Sequence, residues 1–254
     1  MRHVTPKKHL GQHFLKDENI ALKIVESLRP ASPDTEIMEI GPGTGVLTKH
    51  LLSKFDRFRA FDVDTESIQY LKEAYPEHTN KFLEEDFLRF NLTTLSKPVS
   101  VIGNFPYNIS SQLFFGFWEA RANVGEVVCM IQKEVADRIA AKEGNKTYGI
   151  LSVLLGAFYD IEYLFTVPPN VFNPPPKVNS AVIRLVRNGV EKLDCDEKLF
   201  KKVVKAGFGK RRKTLRNALK DLALEFDNSL PVFDKRAEQL SVEDFIVLTK
   251  YVSS

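Results

Sequence analysis

Blocks of apolar residues alternate with polar stretches at two different periods, and the changes of period divide the chain into elements. Ile20, Leu22, Ile24, Val25 and Leu28 mark one face of a helix that Asp17 is placed to cap and that Pro30 and Pro33 end. Residues 35–40 then alternate as a strand, and a helical spacing follows from Val46 to Leu52. The same grammar repeats downstream. A strand over 58–61 ends at Asp62 and precedes a helix over 67–75; strands over 81–85 and 99–103 end at Asp86 and Asn104. Leu113, Phe114, Phe117 and Trp118 carry a further helix, and residues 127–131 form a fifth apolar strand. Strands alternating with helices predict right-handed crossovers and a largely parallel sheet, an α/β fold.

Beyond the fifth strand the spacing predicts a helix over 149–159 and a strand over 163–167. The segment Pro168-Pro169-Asn-Val-Phe172-Asn-Pro174-Pro175-Pro176-Lys177 is too rich in proline for a helix or a central strand. Residues 180–186 return to strand pattern, and 187–196 are polar and turn-rich. We place a domain boundary there, with a main domain over 1–190 and a small, wholly helical domain over 191–254. No internal repeat is visible.

The length of 254 residues suits a main domain plus a small one, and 43% hydrophobic content is ordinary for a globular chain. Cys129 and Cys195 are too few and too far apart for a disulfide framework or a zinc site, so no metal is expected. With no apolar leader and no run of membrane-spanning length, the expectation is a cytoplasmic protein, without membrane contact and monomeric. The net charge of +3 does not by itself indicate nucleic acid, but its distribution is uneven. From Lys198 to Lys220 there are many lysines and arginines and no acid, with Phe200, Val203, Val204, Phe208 and Leu215 interleaved at helical spacing. Lys210, Arg211, Arg212 and Lys213, joined by Arg2, Lys7 and Lys8 from the N-terminus, are therefore expected to form a phosphate-binding surface.

Candidate chemistry collects at strand ends, where parallel sheets place their ligands. Gly41-Pro-Gly43-Thr-Gly45 follows the first strand, with Glu39 two residues ahead of it. Its spacing is not the G-x-G-x-x-G of dinucleotide sites, which excludes a nicotinamide-dependent oxidoreductase. Asp62 and Asp86 stand at the next two strand ends, and Asn104-Phe105-Pro106-Tyr107 stands at the fourth. An amide beside a proline-stiffened aromatic ring suits a flat, hydrogen-bonding ligand such as a nucleobase.

The loop Glu39-x-Gly-x-Gly-x-Gly45 resembles the first motif of S-adenosylmethionine-dependent methyltransferases, and Asn104-Phe-Pro-Tyr107 resembles the N-x-P-Y motif of amino-methyltransferases. Three further segments accompany them: Gly11-Gln-His13-Phe-Leu15, Phe172-Asn-Pro-Pro-Pro-Lys-Val-Asn-Ser-Ala-Val182 and Phe208-Gly-Lys-Arg-Arg-Lys-Thr-Leu-Arg-Asn217. In this order the set resembles the ribosomal RNA small-subunit adenine-N6,N6-dimethyltransferase family, KsgA type. The resemblance implies a Rossmann-like methyltransferase domain with a helical RNA-binding domain. The implied activity is dimethylation of two adjacent adenosines near the 3′ end of 16S rRNA on the immature small subunit, a step of ribosome biogenesis. Implied cofactor contacts are His13, Leu15, Glu39, Gly41, Gly43, Asp62, Asp86, Phe87 and Asn104. Asp62 would accept the ribose hydroxyls and Asp86 the adenine amine, with Phe87 beside that ring. Asn104 and the Phe105 carbonyl would accept the target amine, Pro106 would stiffen the turn, and Tyr107 and Phe172 would sandwich the target base. His13 replaces the usual Asn, Asn179 a common Asp, and Asp62 a frequent Glu. The related class that methylates large-subunit rRNA, a DNA adenine methyltransferase and an assembly factor whose main role is binding are the competing readings.

Overall fold

The computed structural model describes residues 4–222, 225–226 and 230–253; Arg2 lies outside them. In chain order the elements are β1 (Phe14–Leu15), α1 (Glu18–Glu26), β2 (Ile37–Ile40), α2 (Thr48–Lys54), β3 (Phe58–Asp62), α3 (Thr65–Ala74), β4 (Phe82–Glu84), β5 (Val99–Asn104) and α4 (Ser110–Glu119). They continue with β6 (Val124–Gln132), α5 (Lys133–Ile139), α6 (Ile150–Gly156), β7 (Tyr159–Val167), β8 (Phe172–Asn173), β9 (Ser180–Arg187), α7 (Glu197–Gly209), α8 (Leu215–Ala218), β10 (Glu225–Phe226), α9 (Val242–Lys250) and β11 (Val252–Ser253).

Seven strands form one sheet in the order β4-β3-β2-β5-β6-β9-β7. β2 pairs in parallel with β3 and with β5, β3 with β4, and β5 with β6; β9 runs antiparallel to β6. Strand order therefore reverses at β2: the chain builds outward through β3 and β4, then returns to the other flank of β2 with β5. A crevice opens outside the carboxyl ends of strands at such a reversal. Helices cover both faces of a sheet of this kind, which is why β2 and residues 99–103 of β5 are buried throughout rather than on alternate residues.

Local chemistry starts the helices. The Asp17 side chain accepts from the Ile20 N–H at 3.0 Å to cap α1, which buries Ala21, Ile24 and Val25. α4 buries Leu113, Phe114, Phe117 and Trp118, and its rings meet Phe105 at centroid distances of 6.2 Å and 6.1 Å. Each such side chain contributes about 1.5–3 kcal/mol of burial. Truncating Phe117 to alanine would cost about 3–5 kcal/mol and loosen the helix that follows the Asn104 turn.

The chain divides into two compact units: residues 1–136 with 161–187, and residues 137–160 with 188–254. The second is thus discontinuous rather than a contiguous 191–254. In that second unit α7 packs against α6, α8 and α9, and buries Phe200, Val203 and Val204. It is not wholly helical, because β10 pairs antiparallel with β11. The segment expected to be helical over 149–159 turns into β7 at Tyr159, and β7 is longer than the predicted 163–167. The proline-rich segment holds a strand that the pattern did not announce. Phe172 and Asn173 come just before the three prolines, keep their N–H groups, and pair as β8 with Leu15 and Phe14 of β1.

Candidate active site

Gly103 fixes the distance between β2 and β5 at the reversal point. A Cβ added there would lie 2.3 Å from the Ile40 carbonyl oxygen, so only glycine lets the two backbones approach this closely. Asn104 is thereby brought beside the glycine loop that begins at Gly41. Within that loop Gly43 has φ +53°, and a Cβ on it would meet the Phe14 ring at 2.8 Å.

The result is a cleft at the carboxyl ends of the strands. His13, Gly41, Gly43, Asp62, Asp86, Asn104, Phe105, Pro106 and Tyr107 all line it, together with Leu10, Phe14, Val63 and Leu88. Residues 10–14 form one wall, and a polar network that includes Lys7 holds the segment there. The Lys7 ammonium pairs with Asp64 and reaches Glu66 at 3.4 Å. The Gln12 amide donates to Asp64 at 3.0 Å and accepts from the Lys7 N–H at 2.8 Å. Asp64 also accepts from Ser67 and from the Glu66 N–H at the start of α3. A carboxylate this deeply buried requires such partners, and Lys7 supplies the opposite charge.

The Asn104 side-chain nitrogen donates to the His13 carbonyl at 2.8 Å. That bond decides which way the amide faces: its nitrogen is used, and its oxygen is left as the acceptor. The His13 ring stacks on Tyr107 at 5.4 Å, and its Nδ1 donates to the Pro174 carbonyl at 2.7 Å. The Tyr107 hydroxyl in turn hydrogen-bonds the Ser180 hydroxyl at 2.5 Å. β1, the Asn104 turn and the proline-rich segment are thus tied into one frame.

Burial pushes the Asp62 carboxyl up to about 6, against backbone hydrogen bonds from Asp64, Gly43 and Val63. Burial also pushes Glu39 up to about 8, although Thr48 donates to it at 2.8 Å, and the Asp62 charge adds to the rise. Asp86 accepts from the Leu88 N–H at 3.0 Å and stays more open.

Several expected contacts fall elsewhere. Leu15, Glu39, Phe87 and Phe172 do not line the cleft, and all four are buried. Phe172 is 1% exposed and packs in the core of the first unit, so it is not an open wall for a base. Phe87 lies edge-on to Phe61 at 5.2 Å within an aromatic cluster. Glu39 is spent on Thr48, behind the glycine loop. Lys7 is committed to Asp64, and Arg211 to Glu238 at 2.5 Å and to the Asn145 carbonyl at 3.4 Å, so neither presents a free cation. Lys210, Arg212 and Lys213 are exposed on the second unit, and Lys8 on the first. No sequence motif marks Val63 and Leu88, which line the cleft and are 50% and 37% exposed although apolar. Their signal is positional: each follows a strand-end acid by one or two residues. Ser180, which anchors Tyr107, has no such signal.

The family model described as "Ribosomal RNA adenine dimethylase" matches residues 4–253. The chain belongs to this family. Among its relatives, "Ribosomal RNA small subunit methyltransferase A" of Cytophaga hutchinsonii is 56% identical, with 100% of this chain and 99% of that protein aligned. The protein of the same name from Flavobacterium johnsoniae is 54% identical over 100% of this chain and 98% of its own. A dimethyladenosine transferase from Plasmodium falciparum superposes with a TM-score of 0.78 at 26% identity, covering 93% of this chain and 96% of that one. The 23S rRNA methyltransferase ErmE, at 22% identity and a TM-score of 0.70, shares the fold over 93% of this chain and 99% of its own. Among the described residues no group of three or more His, Cys, Asp or Glu side chains is placed to hold a metal. No helix among them is long and apolar enough to cross a membrane.

Proposed function

We propose that this chain transfers methyl groups from S-adenosylmethionine to the exocyclic N6 amines of two adjacent adenosines near the 3′ end of 16S rRNA, two methyls to each. The observation that carries the reading is the orientation of Asn104, whose amide oxygen is left free at the cleft because its nitrogen donates to His13.

The donor set fits the cofactor. The glycine loop leaves space for its amino acid end, Asp62 offers a carboxylate to a ribose diol, and Asp86 offers one to the adenine amine. Val63 and Leu88 supply apolar surface for the ring. When bound, S-adenosylmethionine supplies a methyl group already activated on a cationic sulfur.

The chain's own task is to make a poor nucleophile better. An adenine amine delocalises its lone pair into the ring; acceptors on its hydrogens favour a tetrahedral nitrogen and return that pair. The Asn104 oxygen and the Phe105 carbonyl are those acceptors, and Pro106 keeps the turn between them stiff. Tyr107, pinned through Ser180, gives the base a face to stack on. Holding the reacting groups in place is the main catalytic effect, with no general base required. The amine proton becomes acidic once the nitrogen is alkylated and leaves to water.

Small-subunit rRNA is favoured over large-subunit rRNA by the two full-length relatives named as small-subunit methyltransferases. The substrate is then the immature small subunit in the cytoplasm, bound by the enzyme as a monomer. The test is incubation with labelled S-adenosylmethionine and small subunits, naked small-subunit rRNA or large-subunit rRNA, followed by mapping of the modified base. Label on paired adenosines of the small-subunit RNA is expected. Turnover undiminished by Asn104→Ala would sink the assignment.

A further inference from the structure

A second cavity adjoins the cofactor cleft in the same unit. The two share Gly11, Gln12, His13 and Tyr107, so they meet at the stacked His13–Tyr107 pair. Pro174, Pro175 and Pro176 line the second cavity with apolar rings that carry no N–H. Its polar lining includes Lys8, Lys177 and Gln132. Among the described residues neither lysine has a carboxylate partner, unlike Lys7, and the Gln132 amide has no hydrogen-bond partner. Lys8 and Lys177 are both exposed.

An adenosine held at Tyr107 remains covalently joined to its neighbours, and the adjoining nucleotide leaves the cleft across the His13–Tyr107 wall. We propose that the second cavity is a nucleotide subsite that seats this neighbour. Its phosphodiester lies on Lys8 and Lys177, its base rests on the proline faces, and Gln132 reads its edge. A glutamine presents a donor and an acceptor side by side, the pattern that matches adenine N6 and N7. The subsite thus selects the second adenosine of the pair. This deepens the proposed function and rests on it. Lys177, Gln132 and the prolines are new to the RNA surface; Lys8 acquires a specific place in it.

The test is binding of a fluorescently labelled single-stranded RNA nonamer with two adjacent central adenosines, measured by anisotropy without cofactor and so without turnover. The double variant Lys8→Gln/Lys177→Gln is expected to bind about tenfold more weakly, and its slope of log affinity against log salt to fall by about 0.7, the loss of one neutralised phosphate on a single strand. Lys177→Arg retains affinity. Gln132→Leu loses the preference for an adenosine over a uridine at the neighbouring position. Unchanged affinity and slope in the double variant overturn the proposal. So does a loss seen with small subunits but not with the nonamer, which would assign the cavity to a ribosomal protein. Methyl transfer by the unaltered chain is scored separately: its absence would refute the proposed reaction and leave the binding result standing.

Discussion

The Asn104 side-chain nitrogen and the His13 carbonyl oxygen lie 2.8 Å apart, and this bond orients the amide at the end of β5. Aspartate at the same position keeps an acceptor oxygen but has nothing to donate, and sets a carboxylate against a carbonyl. Asn104→Asp is therefore expected to lower the single-turnover rate of methyl transfer by about a hundredfold or more. Calorimetric titration should find a smaller loss of cofactor affinity than of rate, since Asn104 is one of several residues that line the cleft. A rate equal to the unaltered chain would show that the direction of the amide is irrelevant.

Ser180 acts on the substrate through Tyr107. Removing its hydroxyl leaves a half-buried phenol without a partner, at a cost of about 1–3 kcal/mol in denaturant unfolding. Ser180→Ala should raise KM for RNA more than it lowers kcat, because the ring stays in place but is no longer pinned. Tyr107→Phe combined with Ser180→Ala should cost little more than either change alone. Additive losses would mean that the 2.5 Å contact couples nothing.

Gly103→Ala forces a methyl group to within 2.3 Å of the Ile40 carbonyl, in a sheet interior with no room to yield. We expect a loss above about 3 kcal/mol, beyond that of an ordinary core substitution. Equilibrium unfolding in urea measures it. A loss below about 1 kcal/mol would show that β2 and β5 separate easily.

Glu39 and Asp62 make stability depend on pH in a definite direction. Their folded carboxyls are raised to about 8 and about 6, while the unfolded chain titrates near 4.5 and 3.8. The folded state therefore binds more protons through these windows, and stability falls as pH rises. For Glu39 the contribution is full below about 4.5 and is lost by about 8. Glu39→Gln keeps an acceptor for Thr48 and removes the ionisation, so its Tm should decline less steeply between pH 5 and 8. Parallel Tm profiles would mean that Glu39 titrates as an ordinary glutamate.

The basic cluster of the second unit should separate into two behaviours. Arg212→Glu with Lys213→Glu is expected to weaken RNA binding by tenfold or more, on the order of half a decade per phosphate contact, and to flatten its salt dependence. Arg211→Gln instead leaves Glu238 without its partner, and should lower the Tm while changing RNA affinity less. Equal effects on RNA affinity from both would place Arg211 in the binding surface after all.

The strand ends were legible in the sequence because period-2 blocks followed by Gly41, Asp62, Asp86 and Asn104 are local signals. These four residues do line one cleft. Side-chain direction was not legible. A motif identifies Phe172, Phe87 and Leu15 as neighbours of a site, but whether each ring or side chain faces the cleft or the core depends on what packs behind it. Lys7 and Arg211 illustrate the same limit for charge: a basic run does not disclose that one member neutralises Asp64 and another Glu238. The pairing of β1 with β8 and the grouping of 137–160 with the C-terminal unit join residues distant in the chain, and no local period encodes them.

The short β1–β8 ladder also bears on synthesis. Phe14 emerges early from the ribosome, yet its partner Asn173 is made only after almost all of the first unit. Until then the wall carrying His13 is held by the Asp64 network alone, without the Pro174 carbonyl that accepts from the His13 ring. A nascent chain stalled before β8 would contain the glycine loop and both strand-end acids, yet have an unfinished wall. Two ties of very different sequence span therefore hold one wall: the Asp64 network closes within the first part of the chain, and the contacts of His13 and β1 wait for the proline-rich segment.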